Sequence, residues 1–119
     1  MDDSIVRGTT SRLLVDMIKA CNPTEIHFLV SSPPIISPCY YGMDFPNPEE
    51  LIANKFDRNV EKIAEEIGVD SLRYLSADGL VNAVKEANPS GHDYCTACFT
   101  SNYPVPVNFG VEKEENELV

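Results

Sequence analysis

Apolar positions recur along the chain with two different periods, and the switches between them mark the elements. Between Arg12 and Ala20, Leu13, Leu14, Met17 and Ile18 stand at helical spacing, with Thr10 or Ser11 as N-cap and Asn22-Pro23 just past the end. That spacing predicts a helix. From Glu25 to Ser32 the period drops to two: Ile26, Phe28 and Val30 share one face and His27 and Leu29 the other, as in a strand buried on at least one side. Pro33-Pro34 ends it. After the irregular run PPIISPCYYGMDFPN, Asn47 offers an N-cap, Pro48 a first helical residue and Glu50 the capping-box acid of another helix. Two short helices follow, one carrying Val60, Ile63 and Ile67 up to Gly68, the other starting near Ser76 with Leu80, Val81 and Val84 inside. NPSGHDYCTACFTSNYP reads as a turn-rich loop and GVEKEENELV as an acidic, mobile tail. No internal repeat is present.

Composition narrows the picture. A chain of 119 residues, 43% of them hydrophobic, suffices for one domain with a modest core and is too short for two ordinary ones. Its apolar runs are only a few residues long, and no charged n-region precedes an apolar h-region, so it reads as a cytoplasmic chain without a membrane span. A net charge of −10 argues against nucleic acid or anionic lipid as the main partner, since both need clustered Lys and Arg. Any anionic small molecule must then be held by backbone amides and a metal.

The opening stretch, DDSIVRGTTS, has the parts of such a site. A strand-like Ile5-Val6 lies beside Asp2 and Asp3, and Gly8-Thr9-Thr10-Ser11 feeds directly into the first helix. Small residues let consecutive N–H groups converge at a helix N-terminus, where the partial positive charge favours an anion, and the hydroxyls add donors. Two carboxylates would repel a phosphate unless they face ribose hydroxyls or a Mg²⁺ that bridges to phosphate oxygens. The combination specifies a sugar phosphate. The plainer alternative makes Asp2 and Asp3 surface acids and Thr10-Ser11 a helix cap.

The chain has four cysteines. Cys95 and Cys98 form a C-x-x-C, with Cys39 upstream in a Pro-bounded loop. This set suits thiolate ligation of zinc or of an iron–sulfur cluster, and equally suits buried or incidental thiols; disulfides do not suit a cytosolic chain. Cys21 reads as a small buried apolar residue. His27 reads as a packed or solvent-edge residue of its strand, and His92 as part of a Gly-containing loop.

DDSIVRGTT resembles the signature of type I phosphoribosyltransferases, in which apolar residues precede two acids and a small-residue loop holding the 5-phosphate of phosphoribosyl pyrophosphate. More narrowly, SIVRGTTSR, VSSPPI, PCYYGMDFPNPEELIAN, DSLRYLSADGL and YCTACFTSNYP resemble, in that order, the C-terminal part of amidophosphoribosyltransferase. That family commits phosphoribosyl pyrophosphate to purine synthesis with ammonia from glutamine, and its members are homo-oligomers. The resemblance implies an α/β fold: residues 1–37 as the remnant of a Rossmann-like phosphoribosyltransferase domain, 38–108 as a helical, cysteine-bearing C-terminal extension, and 109–119 as the tail. It implies that Asp2 and Asp3, with Ser4 beside them, contact ribose hydroxyls or Mg²⁺, and that Arg7, Gly8, Thr9, Thr10 and Ser11 wrap the 5-phosphate. No side chain here need act as acid or base in the transfer. It further implies a [4Fe-4S] cluster on Cys39, Cys95 and Cys98, with a fourth ligand outside this sequence, and Tyr40 and Tyr41 packed against the cluster loop. The family's glutaminase domain and the strand ahead of the acid pair are not in this sequence. This is the pattern of a truncated reading frame or of a split enzyme with a separately encoded N-terminal half, and an isolated chain of this kind should be inactive alone and prone to aggregate. The Gly-Asp common after CFT is replaced by Ser101-Asn102, which alters the turn there.

Overall fold

In the computed structural model, which describes residues 1–108, two short strands run parallel at the centre: β1 (His27–Val30) and β2 (Ser71–Tyr74), with His27 opposite Ser71 and Val30 opposite Tyr74. The acidic tail expected at 109–119 lies outside the described residues. On the other side of β1, Asp2 forms a single parallel bridge to Val30: its N–H donates to the Leu29 carbonyl at 2.9 Å and its carbonyl accepts from the Ser31 N–H at 3.0 Å. The order across the sheet is therefore Asp2, β1, β2. Parallel neighbours need a crossover rather than a hairpin. Here α1 (Thr9–Lys19) links Asp2 to β1, and α2 (Ile52–Lys55) with α3 (Val60–Ile67) lies between β1 and β2. The α/β class holds. The strand expected at Ile5-Val6 does not form; Ile5 is buried in the core, and the Val6 carbonyl accepts the Ile52 N–H at 2.9 Å.

One core joins these elements: Val15 of α1, Phe28 and Val30 of β1, Ile52 of α2, Ile63 and Ile67 of α3, and Leu72 of β2. Residues on both sides of position 37 therefore share it. β2 is the element without a visible pattern, because only Leu72 of its four residues is buried and the segment is too short to show a period. The local signals of α3 appear as expected: Asn59 accepts the Lys62 N–H at 2.9 Å, and Gly68 closes the helix at φ 84°. The helix expected after Asn47 forms in two pieces. A 3-10 turn over Pro48–Glu50 carries the capping box, then Leu51 becomes extended and α2 begins. α4 (Ala77–Ala87) starts at Ser76, whose Oγ accepts the Gly79 N–H at 3.0 Å, but it buries none of its residues.

The first helix differs from expectation in which face is covered. Its buried residues are Ser11 and Val15, one turn apart, while Leu13, Leu14, Met17 and Ile18 lie exposed, Met17 at 71%. Helical spacing shows that a stripe exists; what covers it depends on the neighbouring elements. Cys21, expected to be buried, is also exposed. It lies in the turn beyond α1, where its N–H reaches the Ile18 carbonyl at 3.0 Å and keeps the thiol out of the core. Met17→Lys should consequently leave the urea midpoint of unfolding within about 0.5 kcal/mol of the parent. Light scattering should show less aggregation, and a loss of stability would mean that the stripe packs inside.

Candidate functional site

The loop from Asp2 to Ser11 leaves the sheet at the carboxyl end of β1, because Asp2 pairs with the last residue of that strand. Open parallel sheets bind ligands beyond this edge. Asp2, Asp3, Ser4, Arg7 and the run Gly8 to Ser11 line a single concavity of about 520 Å³ there, a size that suits a small ligand. Gly8 makes the geometry. It sits at the N-cap of α1 with φ 82°, and a Cβ on it would stand 2.5 Å from Ile52 Cδ1. The cap expected from Thr10 or Ser11 does not form: no side chain caps α1, and both residues lie inside its first turn. The first bond of the helix is from the Arg12 N–H to the Gly8 carbonyl at 2.9 Å. The N–H groups of Thr9, Thr10 and Ser11 therefore precede any helical acceptor, and they carry the positive end of the helix dipole.

The acids are held from the other side. Asp2 Oδ1 accepts the Asp3 N–H at 2.9 Å, and Asp3 Oδ1 accepts the Ser4 hydroxyl at 3.0 Å. Each carboxylate keeps its second oxygen for a ribose hydroxyl or a hard cation. Among the described residues no group of three or more His, Cys, Asp or Glu could hold a metal ion. A pair of carboxylates can hold Mg²⁺ only where substrate or water oxygens complete its coordination.

Two residues that sequence reasoning left outside the site shape it. Ile52 packs beneath Gly8, and Glu50 holds Arg7, its Oε1 lying 3.2 Å from Arg7 Nε. The bond from Arg7, followed by the Asn47 N–H, keeps the Glu50 carboxyl below its ordinary range. Since the folded value lies below the unfolded one, this contribution is complete above the ordinary glutamate range and is lost as pH falls through the lowered folded value. Melting temperature followed into acid should fall less steeply for Glu50→Gln than for the parent; parallel profiles would show the pair to be inert. Both side chains are about half exposed, so the effect is small.

The cysteine region forms a second, separate assembly. The N–H groups of Ile36 and Ser37 donate to the Cys98 carbonyl at 2.9 and 3.1 Å, which ties the Cys39 loop to α5 (Ala97–Thr100), a single turn within the stretch expected as loop. Cys39 and Cys98 are half-buried and Cys95 is exposed, all as free thiols. Burial pushes the Cys98 thiol up, and Cys39 and Cys95 are near enough to push it further. Among the described residues these three thiols do not form a group placed to hold a metal ion. At the turn after α5, Ser101 takes φ 63°, in the left-handed region, and its hydroxyl lies 2.5 Å from that of Ser37. Tyr40 and Tyr41 pack edge-on against Tyr103, and the Tyr41 N–H points at Cys39 Sγ, 3.3 Å away. His27 lies at the solvent edge, bonded through its two ring nitrogens to Ser71 and Glu25.

A parallel sheet whose carboxyl edge opens into a small-residue loop and a helix N-terminus is an arrangement that α/β domains use to bind phosphates. No family model matches the chain. Among curated proteins it is 53% identical over 107 residues to the amidophosphoribosyltransferase of Archaeoglobus fulgidus, covering 90% of this chain and 23% of that protein. It is 47% identical over 108 residues to the Bacillus subtilis enzyme of the same name, covering 90% and 22%. Among solved structures, the glutamine phosphoribosylpyrophosphate amidotransferase of B. subtilis, complexed with ADP and GMP, superposes with a TM-score of 0.76 at 45% identity, over 92% of this chain and 24% of that one. In sequence and in fold the chain is similar to one part of the amidophosphoribosyltransferases, and it spans about a fifth of the length of these curated relatives.

Proposed function

We propose that this chain supplies the phosphoribosyl-binding part of an amidophosphoribosyltransferase, the pentosyltransferase that forms phosphoribosylamine from phosphoribosyl pyrophosphate and glutamine-derived ammonia in purine synthesis. The observation that carries this reading is the common concavity, in which Asp2 and Asp3 face the free N–H groups at the start of α1. The amides of Thr9, Thr10 and Ser11 hold the 5-phosphate, with Arg7 at the rim. The acid pair takes the ribose hydroxyls and a magnesium ion. When bound, Mg²⁺ neutralises charge on the pyrophosphate leaving group. The chain's own residues contribute positioning, which fixes the anomeric carbon for attack and requires no general acid or base among them.

Glutamine hydrolysis would fall to a part outside this sequence, in the same polypeptide or in a separately encoded N-terminal half. The exposed stripe of α1 and the open side of β1 beyond Asp2 are surfaces such a part would cover. Cys39, Cys95 and Cys98 would hold a [4Fe-4S] cluster completed by a ligand outside this sequence, with the Tyr40, Tyr41 and Tyr103 rings beside it. Such a cluster would supply cross-linking between the loop and α5 rather than chemistry at the sugar. No helix among the described residues is long and apolar enough to cross a membrane, and the reading places the protein in the cytoplasm.

Calorimetric titration with phosphoribosyl pyrophosphate, with and without Mg²⁺, tests the reading. Saturable heat that strengthens with Mg²⁺ is expected, together with no turnover by the chain alone. A silent titration of folded protein would refute phosphoribosyl binding.

A further inference from the structure

The sheet has a second open side, remote from the phosphate loop in sequence. β2 is bonded only to β1 among the described strands. The Ser71 N–H reaches the Ile26 carbonyl and the Leu75 N–H the Val30 carbonyl, so by the two-residue period of a parallel ladder Leu72 and Tyr74 turn their N–H and C=O groups outward. An unpaired edge of this kind is a template for another strand. Along it runs a groove of about 520 Å³, walled by α3 through Val60, Glu61, Ala64 and Glu65 and by β2 itself. Tyr74 lines this groove, and its buried Oη is the one buried side-chain polar atom among the described residues with no hydrogen-bond partner. A buried hydroxyl lacking a partner is costly. Burial also pushes the Tyr74 phenol up to about 12, so it stays a donor at neutral pH.

We propose that the outer edge of β2 and the groove against α3 bind an extended peptide segment of mixed basic and apolar character as an added strand. Main-chain bonds to Leu72 and Tyr74 would give such a segment its affinity, the general mode of strand addition. Its apolar side chains lie over Val60 and Ala64, and its Lys or Arg side chains reach Glu61 and Glu65, both exposed at the rim. A second copy of this chain is the weaker occupant, since a protein of net charge −10 brings further acid to an acidic rim. This site is independent of the phosphoribosyl reading, and neither test decides the other.

Residue-resolved amide exchange on the full chain, with a short capped peptide of alternating lysine and valine as probe, tests it. The probe should slow exchange at Leu72 and Tyr74, while the same peptide with glutamate for lysine leaves them unchanged. Glu61→Gln with Glu65→Gln should weaken binding roughly fivefold. Equal protection by both peptides, protection confined to the opposite side of β1, or no protection at all would overturn the proposal. So would slowed exchange at Leu72 and Tyr74 that grows with protein concentration in the absence of peptide, because the occupant would then be a second copy. The peptide comparison on the parent chain decides the matter even if a variant fails to fold.

Discussion

Gly8→Ala should destabilise the protein by about 2–4 kcal/mol and remove phosphoribosyl binding with it, the sum of a left-handed backbone penalty and an overpacking penalty. The first arises because Gly8 holds φ 82°, where an L side chain crowds its own carbonyl. The second arises because the new Cβ would stand 2.5 Å from Ile52 Cδ1. Ile52 is only 2% exposed, so its side chain cannot swing away into solvent. Ile52→Val in the Gly8→Ala background shortens the offending branch and should recover part of the overpacking cost, leaving the backbone penalty. Urea unfolding of the two single variants and the double variant measures the coupling. An additive cycle would mean that the loop, not Ile52, absorbs the extra methyl. Binding should fail even where folding survives, because a shifted residue 8 re-aims the amides of Thr9 to Ser11.

Ile63→Ala should cost about 2–5 kcal/mol. Ile63 is fully buried on α3, the helix that faces α1 on one side and β2 on the other. Truncation there opens a cavity in the one core formed by the described residues. Native domains rest on about 5–15 kcal/mol in total, and this chain leaves an apolar helix face and a sheet edge open, so a large unfolded population at room temperature is expected. Far-UV circular dichroism against urea would show it. A cost under about 1 kcal/mol would mean that α3 does not carry the core.

What the sequence made legible was local. α3 could be read from Asn59, the Val60, Ile63 and Ile67 stripe and Gly68, since cap, stripe and stop all lie within one element. The same holds for the Ser76 cap of α4 and the two-residue period of β1. The acids and small residues between Asp2 and Ser11 stood out in the sequence as a candidate phosphate site, and the structure places them around one concavity. The illegible features depend on distant partners. Leu13, Leu14, Met17 and Ile18 make a helical stripe whatever covers it, and among the described residues nothing does. A glycine N-cap leaves no side-chain signature, so Gly8 was hidden behind Thr10 and Ser11. Ile52 lies more than forty positions from the glycine it supports, and β2 is recognisable only once β1 is beside it.

The most direct test of the account is an amide-resolved NMR titration of the full chain with phosphoribosyl pyrophosphate and Mg²⁺. The N–H signals of Thr9, Thr10 and Ser11 should shift together at saturation. Ribose 5-phosphate should move the same three, and the Asp2→Asn, Asp3→Asn variant should retain those shifts while losing their dependence on Mg²⁺. Shifts centred elsewhere, with these amides unmoved, would contradict the claim that the start of α1 grips the sugar's phosphate.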